Sequence, residues 1–363
     1  MRVIEARNVH QAFPKGLRLL EQYGVERASR NGPVKVAPWP VTTVYARPYE
    51  RVLFWAERDA NPAFHLYEAL WMLAGRDDVA PLTRYVKDFG RFSDDGVTLH
   101  GAYGHRWKRP KDQLAIIADR LTDDPNDRRC VLQMWDVERD LGRVGKDAPC
   151  NTTAVFQCDA DGRLDLTVFC RSNDIVWGAY GANAVHFGFL LEYMALWIGC
   201  PIGTYRQVSV NWHSYVDVFE QNIKILGSAF KGMYAEPTPI PDPYVDRRVR
   251  SIPLLEQRYA EAPHEIITRV DTMIAELLVH AETEFAFPRI AADEAPFFDV
   301  AHAVLRAHHA WRTLAAPERY EEALRILSAA DPQADWIVAA TDWTLRRQKR
   351  WRDKMENEPA IRR

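Results

Sequence analysis

The chain has 363 residues, of which 47% are hydrophobic, and its formal net charge is -3. This composition is enough for a sizeable core, and the near-neutral charge excludes a general polycation that would bind nucleic-acid phosphates. No apolar signal segment opens the sequence, and a run of about 18 uncharged apolar residues, which a membrane span needs, occurs nowhere. We therefore expect a cytoplasmic protein that has neither a membrane nor a nucleic-acid partner.

The first two thirds of the chain alternate helical and strand patterns. Residues 64–75 and 112–123 have the periodicity of amphipathic or buried helices. Residues 128–170 favour strands, with DADG (159–162) as the turn of a hairpin. Residues 182–199 return to a long apolar helix.

The last third of the chain has a different sequence pattern. Five prolines within residues 236–253 indicate an extended connection, and the residues that follow have almost wholly helical patterns. We predict an α+β fold with a main body over residues 1–235. A mainly helical C-terminal region, residues 236–363, is expected to pack on the same domain.

The cysteines are odd in number and contain no CxxC pair, which argues against a disulfide framework and against a zinc site. They are Cys130, Cys150, Cys158, Cys170 and Cys200. We predict no metal site, and one thiol remains available as a nucleophile. Cys150 follows a proline in APC (148–150), at the entrance to a predicted strand, although a lone cysteine is most often a small core residue.

Two further groups of polar residues stand out from apolar surroundings. RSND (171–174) ends the second strand of the hairpin, and His213 and Tyr215 in NWHSY share one face if that segment is a strand. Glu68 lies on the apolar side of a predicted helix. Buried carboxylates are rare unless paired or functional, so both a buried ion pair and general acid–base catalysis fit Glu68.

In their order along the chain, these motifs resemble the thymidylate synthase family and its pyrimidine nucleotide hydroxymethylase branch, over roughly residues 28–216. YEALWMLAG resembles the family's helix with the catalytic glutamate, here Glu68. GAYGHRW is similar to the segment with the active-site tyrosine, here Tyr103, and APC to the Pro-Cys of the nucleophile, here Cys150. The resemblance implies a mixed β-sheet packed with helices, with residues 1–235 as the catalytic body.

The paired arginines in DRRCVLQMWD resemble the family's arginine pair ahead of a strand that ends in Trp-Asn. The resemblance implies an obligate homodimer, formed through the sheet, with two shared sites. Arg128 and Arg129 of one subunit would then hold the 5'-phosphate of the nucleotide in the other subunit.

The remaining assignments also follow from the resemblance, with RSND similar to Arg-Ser-x-Asp and NWHSY similar to Asp-x-His-x-Tyr. They are Arg171, Ser172 and Arg30 for the nucleotide phosphate, Asn183 for the base, His213 and Tyr215 for the ribose, and Asp174 and Trp135 for folate. The implied partners are a pyrimidine nucleoside monophosphate and 5,10-methylenetetrahydrofolate as the one-carbon donor.

The implied mechanism begins with addition of the Cys150 thiolate to C6 of the pyrimidine, which turns C5 into a nucleophile for the one-carbon unit. We expect Arg171 to lower the pKa of Cys150. Glu68 and Tyr103 would move protons through ordered water.

Three departures from the family pattern bear on the product. Asn151 follows Cys150 where typical thymidylate synthases have histidine, and WGAYGAN replaces Leu-Gly-Leu-Pro-Phe-Asn with one extra residue. The family's short apolar C-terminal tail, which closes over folate, has no counterpart in this sequence. A site without that lid should let water capture the C5 methylene, which yields a 5-hydroxymethyl group.

The leading hypothesis is therefore 5-hydroxymethylation of dUMP, because the Asn183 amide can donate to O4 of uracil and accept from N3–H. If Ala182 holds the base-reading position instead, cytosine becomes plausible, as in a dCMP or CMP hydroxymethylase. The alternatives are a thymidylate synthase that makes dTMP with a different lid, and a non-catalytic relic that binds nucleotide or RNA. The basic stretch LRRQKRWR (345–352) would serve that last role, although such a stretch is more often a solvated helix face.

Overall fold

The structure is a computed structural model that describes residues 1–230, 239–255, 262–285 and 295–357. Its strands are β1 (Arg2–Ala6), β2 (Val25–Arg27), β3 (Val34–Val36), β4 (Val41–Tyr45), β5 (Val131–Gln133), β6 (Asn151–Cys158), β7 (Leu164–Asp174) and β8 (Ile202–Tyr215). Its helices are α1 (Val9–Tyr23), α2 (Pro62–Leu73), α3 (Tyr103–Lys108), α4 (Gln113–Asp123), α5 (Val137–Asp140), α6 (Asn183–Ile198), α7 (Val216–Asn222), α8 (Ile225–Ala229), α9 (Pro263–Glu282), α10 (Pro296–Thr313), α11 (Glu318–Ser328) and α12 (Asp335–Asn357).

All strands join one mixed sheet, in the order β1-β4-β8-β7-β6-β5, and the β2–β3 hairpin extends it by pairing with β8. The pairs β1–β4 and β7–β8 are parallel, and the others are antiparallel. The hairpin predicted at residues 159–162 connects β6 and β7, where Gly162 adopts a positive φ of 74°. This parallel β7–β8 pair matters for function, because it aligns the motifs RSND and NWHSY side by side.

The inner face of the sheet is covered by α6, which is mostly apolar and is buried at every position from Asn183 to Leu196. A helix with this composition must be surrounded by other elements. Helices α2 and α9 pack on its far side. The predicted helices around residues 64–75, 112–123 and 182–199 are thus confirmed, and the α+β fold is confirmed with them.

The outer face of the sheet carries side chains that leave the opposite side of the pleat. Large apolar side chains on it are exposed, among them Val131, Phe169 and Val210, at 46%, 41% and 62%. Polar residues such as Gln133 and Thr153 lie between them, and the two are hydrogen-bonded to each other.

The helical C-terminal region packs on the main body. Helices α9, α10 and α12 all contact α2. The rings of Phe297 and Trp336 lie 5.5 Å and 6.1 Å from the ring of Phe189 in α6, which places them in the same core. The proline-rich connection is described only from residue 239 onwards, so the beginning of that prediction lies outside the described residues. No helix in the described ranges is long and apolar enough to cross a membrane.

The basic stretch at residues 345–352 is not simply a solvated helix face. Arg346, Arg347 and Arg350 of α12 all reach the carboxylate of Asp59, at 3.4, 3.0 and 3.0 Å. Asp59 precedes α2 and has a positive φ of 48°. Burial alone would raise the pKa of Asp59, but the hydrogen bonds from Arg347 and Arg350 hold it below its ordinary value. The stretch therefore attaches α12 to the loop that leads into α2.

Candidate active site

Tyr103 holds the turn that presents the Cys150 thiol. Its hydroxyl accepts hydrogen bonds from the backbone N–H groups of Cys150, at 3.0 Å, and Asn151, at 3.1 Å. Burial raises the pKa of the Tyr103 phenol, so it stays protonated and able to donate. The position of Tyr103 depends on Gly104, because a Cβ there would lie 1.9 Å from the carbonyl oxygen of Met72 in α2. The predicted catalytic residues Cys150 and Tyr103 are therefore in direct contact.

Arg171 lowers the pKa of Cys150, as expected, but it does not bring that pKa below its ordinary value. Burial raises the pKa of the thiol, and the Arg171 guanidinium only partly offsets that rise, while Asp147 adds to it. Arg171 is exposed, and its guanidinium donates hydrogen bonds to the carbonyl oxygens of Pro149, at 2.9 Å, and Ala148, at 3.1 Å. Thiolate formation in the reaction therefore requires more than this one guanidinium.

Glu68 faces a histidine that the sequence reading missed. Its Oε2 atom lies 3.0 Å from Nε2 of His186, with side-chain exposures of 13% and 4%. Neither of these two buried atoms has a well-aligned hydrogen bond within the described part of the chain. Close by, burial lowers the pKa of His65 to about 3, with Arg58 and His186 adding to the effect, so His65 is neutral. His186 follows Asn183 by three positions, a helical spacing that places both residues on one side of α6. This spacing was the signal in the sequence that could have identified His186.

Asp174 and His213 are direct partners in the register of the parallel strands β7 and β8. Oδ1 of Asp174 accepts from the backbone N–H groups of Val176 and Trp177, at 2.8 and 2.6 Å. Its Oδ2 atom is buried and has no hydrogen-bond partner among the described residues. Burial raises the pKa of Asp174, and the proximity of His213 opposes that rise.

Arg58 was also missed by the sequence reading. Its guanidinium is buried, donates through Nε to the carbonyl oxygen of Val176 at 2.9 Å, and lies 4.5 Å from the centre of the Trp177 ring. The Trp177 side chain is 54% exposed beside it. Arg58 directly precedes Asp59, so the attachment of α12 borders this side of the site.

Asn183 lies at the first position of α6, and its side chain is almost completely buried. Its Oδ1 atom accepts from Nδ2 of Asn151, and its Nδ2 atom donates to Oδ1 of Asn173, both at 3.1 Å. Ala182, the alternative position, carries no polar side chain toward these amides. Of the two positions, Asn183 is therefore the one whose side chain bonds to this group of amides.

The candidate ribose residues lie at the end of β8, where this strand pairs with β7 on one edge and with β3 on the other. His213 and Tyr215 contact each other edge-on, with ring centres 5.9 Å apart. The turn that contains Arg30 reaches the same place, because Asn31 Nδ2 lies 3.5 Å from the Tyr215 hydroxyl. Arg30 itself is exposed and donates to the carbonyl oxygen of Gly145 at 3.2 Å.

Ser172 and Trp135 flank Arg171. Ser172 follows Arg171 on β7 and is paired in register with Asn211 of β8. The Arg171 guanidinium lies 5.5 Å from the centre of the Trp135 ring. Trp135, which the resemblance assigned to folate, is therefore a neighbour of the candidate phosphate ligand Arg171.

Arg128 and Arg129 do not join the Cys150 site within one chain. The register pairs Val131 with Val155, and the carbonyl oxygen of Cys130 accepts from Phe156, so the arginines lie beyond the far end of β6. Seven residues of extended strand separate that end from Cys150, roughly 20 Å. Arg128 is exposed, and Arg129 is 75% exposed and paired with Asp127 at 2.8 Å.

Comparisons with known proteins agree on one family. A sequence profile described as thymidylate synthase matches residues 49–241. A deoxyuridylate hydroxymethyltransferase from Pseudomonas phage M6 is 46% identical over 351 residues, covering 96% of this chain and 95% of that protein. The enzyme of the same description from Bacillus phage SP01 is 39% identical over 197 residues, covering 51% of each protein.

Among solved structures, the crystal structure of thymidylate synthase from T4 phage superposes with a TM-score of 0.54. The match covers 72% of this chain and 91% of that chain, at 18% sequence identity. At this identity the likeness bears on the fold alone.

Proposed function

The chain belongs to the thymidylate synthase family, and on that premise we propose that it hydroxymethylates C5 of the uracil base of dUMP with 5,10-methylenetetrahydrofolate. The observation that carries this proposal is the connected cluster of Cys150, Tyr103, Asn151 and Asn183 at the ends of β6 and α6. The deoxyuridylate hydroxymethyltransferase of Pseudomonas phage M6, which is 46% identical over nearly the whole chain, supports the choice of base and product.

Cys150 supplies the nucleophile. Its thiolate attacks C6 of uracil, an S–C6 bond forms, and the electron pair of the C5–C6 bond moves toward C5 and O4. A donor at the developing O4 oxyanion stabilises this adduct. The amide of Asn183 is suited to that task, because its nitrogen can donate to O4 while its oxygen accepts from N3–H.

The one-carbon unit comes from 5,10-methylenetetrahydrofolate, at the oxidation level of formaldehyde. Asp174 fits a pterin, because its buried Oδ2 atom has no partner among the described residues and can accept from N–H donors. The exposed ring of Trp177 beside it offers a stacking surface. We keep Trp135 in the proposal as a further folate contact.

Proton transfer falls to Glu68, with His186 at 3.0 Å from its carboxylate. After C5 has taken the one-carbon unit, its proton must leave to a base, and the nitrogen of tetrahydrofolate must leave the one-carbon unit as an exocyclic methylene forms. Water then adds to that methylene carbon, and expulsion of the Cys150 thiolate from C6 restores the C5–C6 double bond. The sum is dUMP, 5,10-methylenetetrahydrofolate and water giving 5-hydroxymethyl-dUMP and tetrahydrofolate, with no change in folate oxidation state.

The nucleotide phosphate is held by Arg171 and Ser172 of the same chain, with Arg30 on the turn that reaches Tyr215. His213 and Tyr215 bind the ribose. The exposed apolar outer face of the sheet supports a homodimer formed through that face, which gives Arg128 and Arg129 of one subunit access to the other subunit's phosphate site.

The C-terminal helices belong, in this proposal, to the same domain as the body over residues 1–235. A membrane-spanning helix is missing from the described ranges, and we propose that the enzyme works in the cytoplasm, where nucleotide and folate are available.

The test is the product formed from 5,10-methylenetetrahydrofolate with dUMP, dCMP, UMP and CMP in separate reactions, identified by mass spectrometry. Gain of CH2O on dUMP, with tetrahydrofolate as the second product, supports the proposal. Gain of CH2 with dihydrofolate would make the protein a thymidylate synthase, the second candidate, which the family profile favours. A product on dCMP alone, or no product on any nucleotide, would refute the assignment to dUMP.

A further inference from the structure

We propose that a directed series of buried amides fixes the orientation of the Asn183 carboxamide, and that Asn151, Asn173 and Gln207 thereby select uracil over cytosine. This inference rests on the proposed function, because it names the residues that decide which pyrimidine the same site accepts. It concerns residues that do not themselves face the base.

The series, called here the amide chain, has five members on four elements: Gln207, Asn151, Asn183, Asn173 and Ser209. Each side chain donates to the next in that order, at 3.3, 3.1, 3.1 and 3.0 Å. Every member is at most 7% exposed, so water does not compete for these hydrogen bonds.

The fold brings the amide chain together and leaves it little room to rearrange. Asn151 begins β6 and its backbone N–H is held by Tyr103, while Asn173 of β7 lies beside β8, which carries Gln207 and Ser209. At Gly178 a Cβ would lie 2.5 Å from Oδ1 of Asn173 and 3.4 Å from Nδ2 of Asn183. The backbone at residue 178 thus packs directly against two members of the amide chain.

Orientation matters because a carboxamide keeps its shape when its oxygen and nitrogen exchange places, whereas its hydrogen-bonding pattern reverses. Uracil requires a donor toward O4 and an acceptor for N3–H. Cytosine requires an acceptor for its amino group and a donor toward N3. An isolated asparagine could serve either base by turning over.

Within the amide chain, Asn183 cannot turn over alone. Doing so would set its oxygen against Oδ1 of Asn173 and its N–H groups against Nδ2 of Asn151, which loses two buried hydrogen bonds. The whole series would have to reverse together. Reversal would leave the buried Nε2 of Gln207 without an acceptor, whereas the present direction leaves only its Oε1 without a partner among the described residues. Orphaned N–H donors are rarer and costlier than under-satisfied carbonyl oxygens, so the present direction is preferred.

Two charge-matched variants on either side of Asn183 test this inference. Asn151→Asp puts an acceptor-only group where Asn183 now receives a hydrogen bond, so the Asn183 amide must turn over to donate to it. Asn173→Asp puts the same group where Asn183 already donates, so the orientation is kept. The readout is the ratio of the dissociation constants of dUMP and dCMP, measured by calorimetry without folate at pH 8.

We expect Asn151→Asp to shift this ratio toward dCMP by about tenfold or more, which is the worth of about one buried hydrogen bond. Asn173→Asp should keep the preference for dUMP. As pH falls, protonation lets the carboxyl introduced by Asn151→Asp donate again, so the dUMP preference should return. Equal shifts in both variants, or no shift in Asn151→Asp, would overturn the inference.

If Asn151→Asp fails to fold, Gln207→Glu replaces it, because an acceptor-only group at that end also requires the series to reverse. A Gln207→Glu protein that retains the full dUMP preference would equally overturn the inference. The product assay on the unaltered enzyme is separate. Failure of the product assay would refute hydroxymethylation of dUMP. The binding preference, and hence this inference, would still be decided by the two variants.

Discussion

Oε2 of Glu68 and Nε2 of His186 lie 3.0 Å apart, on helices α2 and α6, which pack against each other. Both atoms lack a well-aligned hydrogen bond among the described residues, so each retains capacity for a water or a substrate group. A carboxylate and an imidazole in this relation can share a proton with a bound water. On the proposed function, we therefore expect this pair to carry out proton transfer.

We expect Glu68→Gln to lower kcat by about 100-fold or more, as is typical for loss of a general acid or base, with a smaller change in KM. His186→Gln should have a smaller effect in the same direction. Release of tritium from dUMP labelled at C5 measures the proton-abstraction step directly. Glu321→Gln, at an exposed position of α11, is the control. Wild-type tritium release by Glu68→Gln would remove Glu68 from proton transfer.

Cys150 should be alkylated slowly at neutral pH. Burial raises the pKa of its thiol, with Arg171 partly opposing, and only the thiolate reacts with iodoacetamide. The alkylation rate at Cys150, followed by peptide mass spectrometry, should therefore keep rising beyond the ordinary titration range of a free cysteine. Arg171→Gln should move this profile to still higher pH. Arg163→Gln, on the exposed hairpin turn, should leave it unchanged, and a profile inflecting near neutrality would contradict the expectation.

The proposed homodimer, with Arg128 and Arg129 reaching the other subunit's site, predicts complementation between two inactive variants. A Cys150→Ala protein lacks the nucleophile, and an Arg128→Ala, Arg129→Ala double variant lacks the donated arginines. Mixed dimers contain one intact site, so an equal mixture after subunit exchange should recover about a quarter of the wild-type activity. If the arginines served their own chain, no mixed dimer would contain an intact site, and the mixture would remain inactive.

The attachment of α12 should contribute measurably to stability. Asp59→Asn removes the charge that Arg346, Arg347 and Arg350 share, and we expect a loss of about 1–2 kcal/mol in the free energy of unfolding, between the values for exposed and buried pairs. Because the pKa of Asp59 is lowered in the folded state, the contribution is present at neutral pH and is lost as pH falls through that pKa. Urea unfolding at pH 7 and at low pH measures both effects.

The matched control for this variant is Asp353→Asn, which breaks an exposed ion pair with Lys349 on the same helix. Its cost should stay at or below about 0.5 kcal/mol. Equal costs for the two variants would mean that the attachment to Asp59 adds nothing beyond an ordinary surface pair.

Much of the fold could be predicted from the sequence because its signals are local. The periodicity of residues 64–75 and 182–199 and the turn at 159–162 depend on neighbouring residues alone. The family motifs, in turn, located Cys150 and Tyr103, whose contact the structure contains.

What the sequence could not supply depends on pairing between distant segments. Asn173 and Gln207 belong to one amide chain only through the parallel pairing of β7 and β8, which no local pattern specifies. The rise in the pKa of Cys150 likewise depends on how deeply the folded chain buries the thiol, and the expected effect of Arg171 was too small to offset it. His186 is the exception, since its spacing from Asn183 was visible in the sequence.

The contact between Asp59 and Arg347 joins residues 288 positions apart. During synthesis, the loop that leads into α2 is therefore exposed to solvent long before α12 leaves the ribosome, and that edge of the nascent chain stays unassembled until then. Contacts between such distant segments form slowly. The candidate site is therefore completed only when the whole chain has been made. A prematurely terminated product would contain every candidate nucleotide-binding residue but would lack the attachment of α12 that borders the site.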